Sequence, residues 1–160
     1  MKQNRYRLII GILLSCSLTQ FVQSEEPKQL TFDGRLKRDP VFSNGGREII
    51  YSVQHDSPQL ILCRLKLMDG TIARVHPKSA LPEFRPTLSS NEKAFAFLQM
   101  TGNDSLTLKV DLQEPKRTVA IPASKKVVWH ASITPDGRQV VYSASGQILS
   151  RAVAGGVEKR

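Results

Sequence analysis

Three stretches of this chain lie over one another without a gap. DPVFSNGGREIIYS begins at Asp39, RPTLSSNEKAFAFL at Arg85 and HASITPDGRQVVYS at His130, so the starts fall 46 and then 45 residues apart. Each carries an apolar residue (Phe42, Leu88, Ile133), then a hydroxyl residue (Ser43, Ser89, Thr134) and three turn formers. A basic residue follows (Arg47, Lys93, Arg138), then an apolar pair (Ile49-Ile50, Phe95-Ala96, Val140-Val141) and an aromatic (Tyr51, Phe97, Tyr142). The turns are Asn44-Gly45-Gly46, Ser90-Asn91-Glu92 and Pro135-Asp136-Gly137. They combine ring-locked backbone, side-chain acceptors and residues that tolerate positive φ, which is the chemistry of a tight reversal. The roles of Ser43, Ser89, Asn91, Thr134 and Asp136 are therefore structural, their oxygens satisfying turn N–H groups.

The β-branched and aromatic residues behind each turn favour a pleated strand. A further strand is expected at Leu60–Lys66, 105–111 and 147–151, and a last one at 71–75, 117–121 and from Val157 onward. Each unit thus reads as a four-stranded antiparallel meander of about 45 residues, and no long segment has helical periodicity. That period with four strands per unit is the signature of a β-propeller blade. The expected blades are 39–84, 85–129 and 130–160, with a leading outer strand at Lys28–Thr31.

SITPDGRQVVYS resembles the core of the PD40, or WD40-like, repeat of TolB-type β-propellers, the periplasmic component of the Tol system of the bacterial envelope. KQLTFDGRLKRDPVFSNGG resembles the passage from one such blade into the next. The resemblance covers about residues 28–160 and is weakest in the second copy, where Ser90-Asn91-Glu92 replaces Pro-Asp-Gly. It implies an all-β, partial propeller of the six-bladed type and a non-enzymatic scaffold that binds an envelope protein or polymer. The additional α/β domain of TolB has no counterpart here. The alternative is a propeller remnant of a larger enzyme, such as a propeller-gated serine peptidase or a polysaccharide lyase.

Ahead of the repeats, Lys2, Arg5 and Arg7 precede the apolar run LIIGILL and then small and polar residues. This is the layout of a secretory signal peptide, too short in its apolar part to span a bilayer, with cleavage after Ser24. Leu13-Leu14-Ser15-Cys16 offers a second route, lipoprotein processing with an anchor on Cys16. Either way the chain is expected to be exported and periplasmic. Loss of the leader takes three basic residues from 23, leaving 20 against 14 acidic ones, a charge of about +6. The basic residues sit beside turns rather than in one patch, so nucleic acid is not an expected partner. Cys63 alternates among apolar residues and reads as a buried strand side chain.

No motif selects a catalytic site. There is no Gly-x-Ser-x-Gly elbow, and His55, His76 and His130 lack ligand spacing, so no catalytic residue, metal or cofactor is expected. The acidic-polar loops QHDSP and MTGNDS read as turns. Asp39, Arg85 and His130 share one repeat position at the entry to a blade and are the candidates for a polar binding surface. Three blades also leave a sheet face at each end of the arc. Ile50, Tyr51, Leu60 and Leu62 are expected on one, and Val140, Tyr142, Ile148 and Leu149 on the other. Such an arc would pair with a second copy, take missing blades from another chain, or aggregate.

Overall fold

The computed structural model describes residues 26–55, 59–102, 105–121 and 128–154. The leader, Cys16, Ser24 and the strand expected from Val157 lie outside them. Eleven strands and no helix occur among the described residues. The first blade comprises β1 (Lys37–Ser43), β2 (Glu48–Gln54), β3 (Leu60–Lys66) and β4 (Ile72–Arg74). The second comprises β5 (Glu83–Leu88), β6 (Ala94–Met100), β7 (Leu106–Gln113) and β8 (Lys116–Ile121). The third contains β9 (Val128–Ile133), β10 (Gln139–Ala144) and β11 (Gln147–Ala152). Strands pair only with their sequence neighbours, antiparallel, as in the meander the repeats imply. The chain is an all-β partial propeller.

Lys28–Thr31 forms no strand; residues 26–36 are irregular. An outer strand needs a ladder partner, and the matching strand of the third copy lies beyond the described residues.

The sheets stack face to face because each is apolar on both sides. Ile50 and Leu62 of the first blade pack on Phe95 and Phe97 of the second. Ala94, Ala96, Leu98, Leu108 and Val110 of the second pack on Val140, Tyr142 and Leu149 of the third. These assignments correct the expected end faces. Successive strand residues point to opposite sides, so Ile50 and Tyr51 cannot share a face. Tyr51, Val53, Ile61, Cys63 and Leu65 form a separate cluster on the far side of the first blade. Val140, Tyr142 and Leu149 likewise turn inward against the second blade. Of the four residues expected on the outer face of the third blade only Ile148 is there, 69% exposed. The stack therefore has a direction: the aromatic of each later blade (Phe97, Tyr142) enters the face of the blade before it.

Candidate interblade site

The turns between the first two strands of each blade lie along one rim and bond from blade to blade. In the second turn, Ser89 Oγ donates to Asn91 Oδ1 (2.7 Å) and accepts from the Ala94 N–H (3.0 Å). In the third, Thr134 Oγ1 donates to Asp136 Oδ1 (2.6 Å) and accepts from the Gln139 N–H (3.0 Å). The first turn has Gly45 where Asn91 and Asp136 stand, so Ser43 Oγ loses that acceptor. It is buried with no partner among the described residues.

The neighbour completes this turn. The Glu92 carboxylate accepts the N–H groups of Asn44 (2.7 Å) and Gly45 (2.8 Å). Glu92 has φ +55°, a conformation that Gly46 and Gly137 supply at the same repeat position. A strained non-glycine residue here thus carries an interblade clamp that glycine could not. Charge-assisted bonds of this kind contribute about 1.5–3 kcal/mol. Glu92→Ala should lower the unfolding free energy by about 1–2 kcal/mol, and Glu92→Gly by less, because glycine releases the strain. Urea unfolding of the two variants measures the difference; equal losses would mean that the strain is absent.

Behind this rim a groove of about 550 Å³ opens between the first and second blades. Glu48, Arg64, His76, Glu92, Asp111 and Lys116 supply its charges, and Ile50, Leu88 and Phe95 part of its apolar wall. Arg64 Nε lies 3.3 Å from Glu48 Oε2. At its base is His76, in the crossing from β4 to β5. Its Nδ1 is 2.7 Å from Glu83 Oε2 and its Nε2 2.8 Å from Asp111 Oδ2. Glu83 also accepts from Gln99 Nε2 (3.1 Å), and Asp111 from Thr118 Oγ1 (2.6 Å). The imidazole centroid lies 4.7 Å from that of Phe97, which limits its rotation.

A carboxylate accepts and does not donate, so a ring facing one at each nitrogen must carry both protons. Burial pulls the imidazole pKa down, and the hydrogen bonds and charges of Asp111 and Glu83 together outweigh it, leaving it raised to about 9. Burial pushes the Asp111 carboxyl up, while bonds from His76 and Thr118 bring it below the ordinary aspartate value. His76 and both its carboxylates are thus an ion triad joining the crossing segment to β7. Both nitrogens are engaged, so this histidine has none free to accept a proton from a substrate.

The three residues expected as a polar surface fall on the first strand of each blade. Asp39 and Arg85 both sit at β-bulges with φ +53°. Ser52 Oγ, fully buried, joins them: it accepts from the Arg85 N–H (3.1 Å) and lies 3.4 Å from Asp39 Oδ2. His130 is exposed on β9, where the bulge falls one residue earlier. Asp39 and Arg85 are thus brought together through Ser52, and among the described residues neither bonds to His130. His76, Glu83, Glu92 and Asp111 were not recognised from the sequence. Only the departure of Glu92 from the glycine of its repeat position could have drawn attention to one of them.

No family model and no curated protein sequence matches this chain. Solved structures do. TolB from Acinetobacter baumannii superposes with a TM-score of 0.62 at 16% identity, over 81% of this chain and 33% of that one. Oligogalacturonate lyase from Vibrio parahaemolyticus gives 0.60 at 12% identity, over 81% and 41%. The β-propeller domain of the Trilobed protease from Pyrococcus furiosus, described as having an open velcro topology, gives 0.56 at 12%, over 78% and 42%. The chain spans between a third and under half the length of each. At these identities the likeness is one of fold, and the fold is that of the TolB-like propellers.

Proposed function

We propose that this chain is an exported, non-enzymatic propeller scaffold that binds an envelope protein or polymer through the groove between its first two blades. The observation that carries the reading is how the groove's ionisable groups are used. His76 faces a carboxylate at each nitrogen, Glu92 closes a neighbouring turn, and Asp111 holds both His76 and Thr118. Groups held this way fix the shape and charge of a surface and are poorly placed for proton transfer. The exported part of the reading rests on the leader pattern of residues 1–24.

A photo-crosslinking residue placed in cells at Gln113 or Lys116, on the groove wall, should give discrete adducts with one envelope protein or with wall polymer. Arg64→Glu should deplete them. The same probe at exposed Ser145, in the β10–β11 turn, should give none. Equal yields from groove and turn would contradict the proposal.

A further inference from the structure

We propose that Asn44-Gly45 is a self-modification site, where the asparagine converts to a carboxylate at a rate set by Glu92 of the next blade. This stands on the rim turns and not on what the groove binds.

Asn44-Gly45 is the one Asn-Gly pair in the sequence. Asparagine is chemically labile where the next backbone nitrogen can reach its side-chain carbonyl carbon, and a following glycine leaves that nitrogen unshielded. Both residues are exposed, and a Cβ at Gly45 would meet nothing within 4 Å, so water has free access. Asn44 bonds through its backbone N–H and C=O, and among the described residues no hydrogen bond holds its carboxamide. Asn91, in the corresponding turn of the second blade, is the contrast. Its Oδ1 accepts from Ser89 Oγ (2.7 Å) and the Lys93 N–H (3.0 Å), and its Nδ2 donates to the Asp136 carbonyl (3.1 Å). The residue after it, Glu92, carries a side chain that shields the nitrogen. Asn44 is the reactive kind of asparagine and Asn91 is not.

The step needs only water. The Gly45 nitrogen gives its proton to solvent and attacks Cγ of Asn44, forming a new N–C bond. The bond from Cγ to the carboxamide nitrogen breaks, and that nitrogen leaves as ammonia. Water then opens the cyclic imide at either carbonyl, giving aspartate or isoaspartate at position 44. Water enters, ammonia leaves, and nothing is oxidised or reduced.

What restrains the step is the clamp. Glu92 Oε1 accepts the Gly45 N–H at 2.8 Å, and Oε2 accepts the Asn44 N–H at 2.7 Å. The attacking nitrogen must lose its proton and turn toward the Asn44 side chain. A carboxylate bonded to the N–H opposes both, since it favours the protonated nitrogen and repels an amide anion. Glu92 holds on from a left-handed backbone, φ +55°, so the clamp opens more readily than an unstrained one. The product then acts back on the clamp. A carboxylate at position 44 stands beside that of Glu92, on a turn that lines the groove, and the like charges repel. Modification thus unlatches the first blade from the second in one direction only, because the ammonia is lost.

Peptide mapping by mass spectrometry of the purified full chain, held for days near pH 8, tests this. Folded wild type should gain the carboxylate at position 44 on the order of 10- to 100-fold more slowly than the chain unfolded in urea, the factor that one charge-assisted bond imposes. Glu92→Ala, or the milder Glu92→Gln, shown by circular dichroism to be folded, should lose most of that protection. Ile121→Val, a buried change of comparable cost to stability, should keep it, which separates the clamp from global unfolding. Asn44→Asp should lower the urea midpoint of wild type and leave that of Glu92→Ala unchanged. Equal rates in folded wild type and Glu92→Ala would overturn the proposal. So would a Glu92→Ala chain slower than wild type, where the carboxylate would be acting as the base. A cost of Asn44→Asp that persists without Glu92 would overturn the action on the clamp.

Discussion

Replacing His76 with leucine is expected to lower the unfolding free energy by about 3–5 kcal/mol at pH 6, because it strips the cation from two carboxylates, one of them fully buried. Glu83 is 1% exposed and among the described residues is left with Gln99 as its side-chain partner. For a domain of this size that is a fall of roughly 10–15 °C in Tm. A triple variant, His76→Leu with Glu83→Gln and Asp111→Leu, should recover most of the loss, since buried ion groups replaced by packed apolar ones are often neutral. The first blade already uses Leu30 and Leu65 at two of these positions.

The loss depends on pH with a definite sign. A histidine whose folded pKa is raised from 6.5 to about 9 stabilises fully below pH 6.5, and the stabilisation fades as pH rises to about 9. The lowered Asp111 carboxyl contributes above its unfolded pKa of 3.8, a share lost on acidification. Wild type should therefore be nearly as stable as the triple variant between about pH 4 and 6.5 and fall below it as pH rises to about 9. Thermal melts across that range check it; a gap that stays constant to pH 10 would mean that His76 is not charged in the fold.

Gly137→Ala is expected to cost about 2–3 kcal/mol, and Gly46→Ala, at the same repeat position, only about 1 kcal/mol. Both glycines have positive φ, +72° and +83°, so both substitutions carry the left-handed penalty. They differ in what stands nearby. A Cβ at Gly137 would lie 3.1 Å from Ala94 Cβ and 3.4 Å from Ser89 Oγ of the preceding blade, whereas one at Gly46 meets nothing within 4 Å. The third turn packs against the second blade, and the extra cost reads that contact directly. Equal midpoint shifts in urea would mean that the third blade does not stack as described.

Much of the fold was legible because a blade is a local object. Its turns, ladders and hydrophobic alternation fall within about 45 residues, and the strand expected at Leu60–Lys66 has those bounds in the structure. The faces were misassigned because adjacent apolar residues such as Ile50 and Tyr51 were grouped by sequence, although a strand sends them to opposite blades. The triad could not be read from spacing. His76 sits in a crossing segment outside the repeated core, and its partners lie 7 and 35 residues away on two different strands. Glu92 reads in the sequence as decay of a turn motif. Its carboxylate serves the turn of another blade, which no inspection of its own turn would reveal.

We propose that His76 is committed to both of its carboxylates and serves the structure of the groove. Nitrogen-15 NMR of the His76 imidazole tests it most directly. The account predicts both ring nitrogens protonated at pH 7.5 and a titration midpoint near 9. A midpoint near 6.5, with one bare nitrogen at neutral pH, would make His76 an available general base and contradict it.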